Sequence, residues 1–330
     1  MMVSAASHWP VVGHTWAVEQ LDRAIRHGRM RHAYLFAGPG QIGKTTLARV
    51  FAMALNCPHD PAPCGQCRAC SLIAKDAHPD VTIVEAEGTT LKIDQVRALQ
   101  QALALRPYEA RYRVAILRRF HDANPNAQDA LLKTLEEPTS NTVLILTANS
   151  ADDLLPTIVS RCQPLHLRPL PIETVREALE WRWNAPQDIA KTLARISGGR
   201  IGWAIRALQD PSELDRRSEA LDTLAAALRG NRRERFALAD GLAQGQKNDT
   251  LAVLDVWQGY WRDALLIASG SHAPITAYDR ADELARLAQR VGREAARRAL
   301  DATRQTMDHL GKNANARLAL EVLMLDYPIP

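Results

Sequence analysis

Short, almost entirely apolar runs alternate with longer helical patterns through roughly the first 170 residues. Four of the runs are predicted to be strands, at 33–37, 81–84, 114–117 and 143–147. Because nearly every position in them is apolar, they are typical of parallel strands that are buried on both faces. Helical patterns lie between them, at 44–56, 93–104 and 126–137. These repeated strand–helix units predict an α/β domain with a parallel sheet and right-handed crossovers.

The pattern changes at a segment with three prolines, 163–172, which predicts a last strand that leads into a linker. Three short helices are expected next, at 173–183, 188–197 and 203–209. Long 3.6-residue periods rich in Ala, Leu and Arg follow from 212 onward, with an interruption at 270–275. We expect the tryptophans on these helices to be packing residues rather than base-stacking platforms: Trp181, Trp183, Trp203, Trp257 and Trp261. The pattern predicts three domains, 1–167, 168–210 and 211–330.

Composition excludes several classes of protein. The 330 residues are 46% hydrophobic and 24% charged, which excludes a disordered or collagen-like chain. The sequence has no uncharged apolar stretch of about 18 residues and no basic and apolar leader, so we expect a cytoplasmic protein. A net charge of +4 argues against a histone-like coat for nucleic acid, but it allows a few placed phosphate contacts.

A phosphate-binding loop follows the first predicted strand. It matches G-x-x-x-x-G-K-[ST] without a gap, as Gly38-Pro39-Gly40-Gln41-Ile42-Gly43-Lys44-Thr45-Thr46. Its glycines allow backbone N–H groups to turn toward a phosphate, and the helix N-terminus adds a favourable dipole. Lys44 is expected to reach the β- and γ-phosphates, and the Thr45 hydroxyl to ligate Mg²⁺. The alternative is a glycine-rich turn without a ligand.

Hydrolysis needs more than this loop. A P-loop ATPase has acidic residues at the end of another buried strand, where they hold Mg²⁺ and orient water. The residues that leave the strand at 114–117 are Arg118 and Arg119, and the first acid after them is Asp122. Two arginines cannot coordinate a cation. We therefore expect the chain to bind ATP without hydrolysing it efficiently on its own.

Four of the five cysteines lie between positions 57 and 70, as Cys57, Cys64, Cys67 and Cys70. Two short C-x-x-C steps suit tetrahedral Zn²⁺, which prefers thiolate ligands in structural sites. An iron–sulfur cluster can also use four cysteines, although its usual spacings differ. Free thiols are the other alternative. With four protein ligands the metal would be structural rather than catalytic.

Several segments together resemble the bacterial clamp-loader subunits of the AAA+ class. They are Val12-Gly13-His14, His32–Gly38 leading into the phosphate loop, the cysteines, Ala130–Pro138 (ALLKTLEEP), Leu155–Gln163 (LPTIVSRCQ) and Asn313–Leu318 (NANARL). The resemblance spans nearly the whole chain. It implies an AAA+ domain with an inserted zinc module at 57–70, a small helical lid, and an all-α collar at the C-terminus.

The same resemblance implies roles for further residues and for partners. In this family, ATP lies at subunit interfaces of a five-membered spiral that opens a sliding clamp and loads it onto primed DNA. Val12 and Gly13 would join the nucleotide site. Arg161, in the Ser-Arg-Cys segment, would be an arginine finger for the next subunit's ATP, with helix capping as the alternative role. The implied partners are gamma/tau-type and delta-type subunits, the sliding clamp and primer-template DNA near the nucleoid.

Within that family the chain most resembles the non-hydrolysing delta prime branch. Arg118-Arg119 replaces the acidic pair, and Gly202, three residues after Gly199, occupies the position of an arginine sensor. The alternative is a gamma/tau-type ATPase motor, which the complete phosphate loop favours. A P-loop protein unrelated to replication is a third alternative. Arg97 is a candidate DNA phosphate contact or a surface salt bridge, and Glu136 and Glu137 are expected to be a solvated helix end.

Overall fold

The structure is a computed structural model that describes residues 8–86, 88, 90–312 and 314–328. Its first part contains five parallel strands, β1 (Ala33–Ala37), β2 (Val81–Val84), β3 (Arg113–Leu117), β4 (Thr142–Ala148) and β5 (Gln163–His166). They lie in the order β2-β3-β4-β1-β5, with every neighbouring pair parallel. The predicted parallel sheet is confirmed, including the last strand in the proline-containing segment.

Helices follow and separate the strands: α1 (Thr15–Arg26), α2 (Lys44–Asn56), α3 (Arg68–Ala74), α4 (Ile93–Leu103), α5 (Pro125–Glu136), α6 (Pro156–Val159), α7 (Ile172–Trp183), α8 (Gln187–Ile196) and α9 (Ile201–Gln209). Successive side chains of a strand point to opposite faces of the sheet, and each face packs into its own apolar cluster. Tyr34 and Phe36 pack with Phe51 of α2 in one cluster. Leu35 packs with Leu131 of α5 in the other cluster.

The strand order fixes the position of the phosphate loop. β1 lies between β4 and β5, and its last residue, Ala37, pairs with Ala148 of β4 and His166 of β5. Because all five strands are parallel, residues that follow them meet at one edge of the sheet. The loop after β1 therefore lies beside the residues that follow β4, and the end of β3 is one strand further along.

The rest of the chain is helical, with α10 (Ser212–Arg229), α11 (Arg232–Gln244), α12 (Lys247–Ala268), α13 (Ala281–Gly311) and α14 (Ala316–Asp326). Their common core includes the fully buried Trp257 and Trp261, both of which pack against Tyr327 with tilted rings. At Gly292 the backbone leaves helical geometry with a φ of 71°, so α13 is kinked there. The predicted interruption at 270–275 is a loop, where buried Asp263 accepts hydrogen bonds from Thr276 and Ala277.

The chain divides into two compact units. One contains the residues up to Ala178 together with Gly199–Trp203, and the other contains Leu179–Gly198 and the residues from Ala204 onward. The division into domains at 167 and 210 stays a prediction. Within the described residues, none of the helices combines the length and the apolar character needed to cross a lipid bilayer.

The expectation that all five helical tryptophans are packing residues is wrong for Trp181, which is 83% exposed. The reason is helical geometry, because Val175 and Leu179 lie four residues apart on the buried side of α7. Trp181 lies two positions after Leu179 and thus points away from that side. Trp203, Trp257 and Trp261 are buried as expected.

Candidate functional site

The phosphate loop joins the end of β1 to the start of α2. The Gly38 N–H donates to the Ala148 carbonyl of β4, which holds the start of the loop against the sheet (3.1 Å). A side chain at Gly38 would meet the Leu167 carbonyl oxygen at 2.3 Å, so only glycine fits there. Gly43, with a φ of 100°, turns the chain into α2. The strand, the glycine-rich loop and the helix N-terminus are thus arranged as an anion-binding site requires.

Lys44 is the first residue of α2, and its side chain is folded back over the loop. Its Nζ donates to the carbonyl oxygens of Gly38 and Pro39, at 2.5 and 2.6 Å. The residue is only 9% exposed. Burial, and then the positive charge of Arg119, lower the pKa of Lys44 to about 8. A nearby phosphate would favour the protonated form of Lys44 and raise this pKa again.

Gly13 and His14 approach the loop region from the N-terminal side. The Nε2 atom of buried His14 lies 2.9 Å from the Ile42 carbonyl oxygen, to which it can donate a hydrogen bond. Gly13 has a φ of 68°, and a side chain there would meet Leu170 at 2.3 Å. Val12 is half-buried. The predicted residues Val12 and Gly13 therefore adjoin His14, which contacts the loop but was not assigned to the nucleotide site from the sequence.

The end of β3 carries the two arginines that were noted in the sequence. Arg118 pairs with Glu85 (Nη1–Oε2, 2.8 Å), and Arg119 pairs with Asp122 (Nε–Oδ2, 2.7 Å). The backbone N–H of Arg119 donates to the Thr147 hydroxyl of β4 at 2.9 Å. Both carboxylates beside the arginines are therefore already engaged in ion pairs.

Two further polar residues lie at the same edge of the sheet. The side-chain amide of Asn149, which follows β4, lies 3.0 Å from Nε2 of His121, and the Nδ1 atom of that imidazole is buried without a partner. Burial lowers the pKa of His121, and the negative charge of Asp122 offsets this effect only in part. Sequence reasoning missed both residues, although a polar residue directly after the strand that neighbours β1 is a recognisable signal.

Gly202, in the first turn of α9, contacts the phosphate loop directly. Its N–H donates to the carbonyl oxygen of Gln41 over 2.8 Å. A Cβ atom at this position would also lie 2.8 Å from that oxygen. Gly202, which the sequence analysis noted as a departure from the ATPase pattern, therefore makes a backbone contact that requires glycine.

Arg161 lies just after α6 and is about one-third exposed. One guanidinium nitrogen donates to the Thr157 carbonyl of α6 at 2.9 Å, and the other binds Glu136 Oε1 at 2.7 Å. Glu136 is therefore an ion-pair partner and not merely a solvated helix end. Both contacts are at the surface, where an ion pair contributes about 1 kcal/mol or less, so the arginine is held loosely and remains accessible.

The four clustered cysteines are brought together. The sulfur atoms of Cys57, Cys64, Cys67 and Cys70 all lie within 4.8 Å of one another. Backbone N–H groups of Gln66 and Cys67 lower the pKa of Cys64 to about 6. Such a set of thiols can hold one tetrahedrally coordinated metal ion. Cys162 is buried elsewhere, in the core of the opposite face of the sheet.

Arg97, which was singled out in the sequence, is not part of these sites. Arg97 lies in the first half of α4, is exposed, and forms a long contact of 3.9 Å with Asp94. Asn313, the first residue of the Asn313–Leu318 segment, lies outside the described residues.

Comparison with known proteins identifies the family. A family model described as DNA polymerase III, delta subunit, matches residues 13–171, and one described as the C-terminal part of that subunit matches residues 211–327. The delta′ subunit of Bacillus subtilis is 29% identical over 244 residues, which are 74% of this chain and 69% of that protein. The chain belongs to the DNA polymerase III delta′ family.

The relatives include both delta′ and gamma/tau subunits. The delta′ subunit of Pseudomonas aeruginosa is 37% identical over 188 residues, 54% of this chain and 56% of that protein. The gamma/tau subunit of Mycobacterium tuberculosis is also 37% identical, over 177 residues, 53% of this chain and 31% of that protein. The chain thus spans about a third of the length of the gamma/tau relatives that it matches.

Proposed function

We propose that the chain is a delta′-type subunit of a bacterial clamp loader, which helps to place a sliding clamp on primed DNA during replication in the cytoplasm. Its partners would be gamma/tau-type and delta-type subunits, the clamp, and the DNA backbone, for which Arg97 is a candidate contact. The family membership supports this assignment, and the matched regions contain the phosphate loop, the cysteines and Arg161. The role of the chain would be to bind and to regulate rather than to catalyse alone.

The nucleotide site is proposed to bind ATP without turning it over. Gly38–Thr46 would cradle the phosphates, Lys44 would contact the β- and γ-phosphates, and the Val12–His14 segment would adjoin the loop. One observation carries the proposal that hydrolysis is negligible, namely that Arg118 and Arg119 follow β3, where an ATPase requires acids. No group at that position can hold Mg²⁺ or accept a proton from water.

Arg161 is proposed to act on a neighbouring subunit. An arginine finger stabilises the charge that develops on the γ-phosphate in the transition state, and its planar guanidinium suits two-point contact with phosphate oxygens. In the free chain its contacts are Glu136 and the Thr157 carbonyl, both at the surface. A phosphate from the neighbour would compete with Glu136 for the same guanidinium.

The cysteine cluster is proposed to hold one structural zinc ion. Four thiolates complete a tetrahedral sphere, which leaves no open position for a substrate. Cys57 and Cys70 are buried and belong to the core cluster that contains α2 and α3. The metal would therefore stabilise the segment 57–75 and its packing against the α/β core.

The alternative is a gamma/tau-type ATPase motor. The 37% identity with gamma/tau subunits and the complete phosphate loop favour it. Arg118, Arg119 and the tight contact at Gly202 argue against it, because they remove an acidic pair and an arginine that hydrolysis requires.

ATP turnover by the purified chain separates the two functions. We expect no measurable turnover by the chain alone, and faster hydrolysis by a complex of motor and delta-type subunits when this chain, clamp and primed DNA are added. A turnover number of the chain alone near the ~1–100 s⁻¹ of phosphoryl-transfer enzymes would instead support the motor function. If adding the chain changes neither ATP hydrolysis nor clamp loading by the complex, the clamp-loader function is contradicted.

A further inference from the structure

The residues at the end of β3 determine which groups could neutralise the negative charge of a nucleotide's phosphates in this site. P-loop proteins usually neutralise the β- and γ-phosphates with Mg²⁺, which a carboxylate after β3 helps to hold. Here the corresponding residues are Arg118 and Arg119. We propose that this chain binds triphosphates without a divalent cation, with Arg119 supplying the positive charge in place of Mg²⁺. This inference rests on the nucleotide site proposed above.

Backbone contacts fix the position of Arg119. Its N–H donates to the Thr147 hydroxyl, and Thr147 in turn pairs with Phe36 of β1, two residues before the phosphate loop. Arg119 therefore follows β3 at the same sheet edge from which the loop leaves β1. Its backbone has a φ of 49°, so the chain turns sharply there instead of continuing the strand.

The two described carboxylates that lie directly beside Arg118 and Arg119 are both engaged in ion pairs. Glu85 is paired with Arg118 and Asp122 is paired with Arg119, each at less than 3 Å between the charged atoms. Mg²⁺ needs near-octahedral oxygen ligands, and it would have to displace a guanidinium from Asp122 to gain one. The added positive charge also opposes the arrival of a divalent cation.

Lys44 and Arg119 form a pair of cations that suits a polyanion. The charge of Arg119 acts on Lys44 and is one of the two causes that lower its pKa. Two like charges in a partly buried site repel each other, and a phosphate chain between them would remove that repulsion. The pair with Asp122 runs through Nε, and Arg119 is half exposed, so its outer guanidinium nitrogens can contact a ligand while that pair stays in place.

Arg118 offers a matched control at the neighbouring position. It is paired with Glu85, a residue that follows β2, and its N–H donates to Val84 of the same strand. Because β2 is the edge strand farthest from β1 on that side, this guanidinium is directed away from the loop. The proposal therefore assigns the phosphate contact to Arg119 and not to Arg118.

Calorimetric titration of the full chain tests the proposal, with the ATP analogue ATPγS and with inorganic tripolyphosphate as separate probes. Each titration is made once in EDTA and once with Mg²⁺. We expect the affinity in EDTA to lie within about twofold of the affinity with Mg²⁺, or to exceed it, because the free triphosphate carries more charge. A loss of affinity of about tenfold or more on removal of Mg²⁺ would overturn the inference and leave the nucleotide site intact. Failure of both probes in both buffers would contradict the nucleotide site itself, and this inference with it.

Variants at positions 119 and 118 then test which side chain contacts the phosphates. Arg119→Asn, which tolerates the left-handed backbone, should weaken binding in EDTA by about 10- to 100-fold, the loss expected for a charge-assisted hydrogen bond. Arg118→Ala should bind within about twofold of the wild type. Arg119→Asp should make binding depend on Mg²⁺, since it restores a carboxylate beside Asp122. Equal affinities for Arg119→Asn and the wild type, with both proteins folded by circular dichroism, would contradict the assignment.

Discussion

The N–H of Gly202 donates a hydrogen bond to the carbonyl oxygen of Gln41 over 2.8 Å, which places the first turn of α9 against the phosphate loop. A Cβ atom at Gly202 would lie 2.8 Å from the same oxygen, closer than carbon and oxygen tolerate. Any larger residue at this position would therefore require α9 or the loop to move.

Gly202→Ala should accordingly perturb the phosphate loop. We expect a lower melting temperature and an affinity for ATPγS reduced by about tenfold, because the loop or α9 must shift to relieve the clash. Gly241→Ala is the control, because Gly241 lies inside α11 with open space around it and alanine favours helix by about 0.5–1 kcal/mol. Differential scanning fluorimetry with and without nucleotide measures both effects. If the two variants behave alike, the contact does not constrain the loop.

The titration of Lys44 predicts how nucleotide affinity depends on pH. The pKa of Lys44 in the free chain is about 8, below the ordinary value of 10.5, because burial and the charge of Arg119 disfavour its protonated form. A bound phosphate favours that protonated form, so binding above this pKa must take up a proton. We expect affinity to fall by up to about tenfold between about pH 7 and about pH 9, measured by calorimetry in buffers of different ionisation enthalpy.

Lys44→Arg is the matched variant for this prediction. Arginine keeps its charge throughout the range, so its affinity, although weaker, should not change with pH in the same way. A wild-type affinity that is constant from about pH 7 to about pH 9 would show that Lys44 is fully charged in the free chain, contrary to this account.

Metal content tests the cysteine cluster. The purified chain should contain about one zinc per molecule, bound through Cys57, Cys64, Cys67 and Cys70. Cys67→Ser should lower the zinc content and the melting temperature, and increase hydrogen exchange in 57–75 without loss of the α/β core. Cys162→Ser should retain the metal, because Cys162 lies outside the cluster. Well under half an equivalent of metal, with four titratable thiols in the cluster, would refute the metal site.

The ion pair between Arg161 and Glu136 allows a separate test of how the arginine is held. Glu136→Gln removes its charged partner but leaves Arg161 in place. We expect a change in the free energy of unfolding of about 1 kcal/mol or less, because the pair is at the surface. Hydrolysis by the assembled loader should not be slower, and a strong decrease would indicate that Glu136 positions the arginine for its role.

Much of the fold could be predicted from local sequence. The β1 residues 33–37 and the strands β2, β3 and β4 were visible because each is a short apolar run. The start of α9 was placed at 203 rather than Ile201, since a glycine in its first turn gives no local helical signal. The contact that requires glycine at position 202 is made with Gln41, which is distant in sequence, so local sequence could not reveal it.

The candidate site was partly predictable for the same reason. The phosphate loop, the cysteines and Arg118-Arg119 are contiguous motifs whose chemistry follows from residue type and spacing. Contacts between distant segments had no such signal, for example His14 with Ile42 and Arg118 with Glu85. Trp181 shows the converse, because its residue type suggested burial whereas its position on α7 leaves it exposed.

The central claim is that this chain catalyses little itself and supplies Arg161 to a neighbour. The most direct measurement is ATP hydrolysis and clamp loading by a complete loader, with clamp and primed DNA, that contains either the wild-type chain or Arg161→Ala. Arginine fingers contribute about 10³–10⁵ in rate, so the complex with the variant should assemble normally, retain its zinc, and load clamps measurably more slowly. Arg161→Lys should rescue poorly, because an ammonium group lacks the planar fork. If the variant complex assembles normally and hydrolyses ATP at the wild-type rate, Arg161 only caps α6 and the account is contradicted.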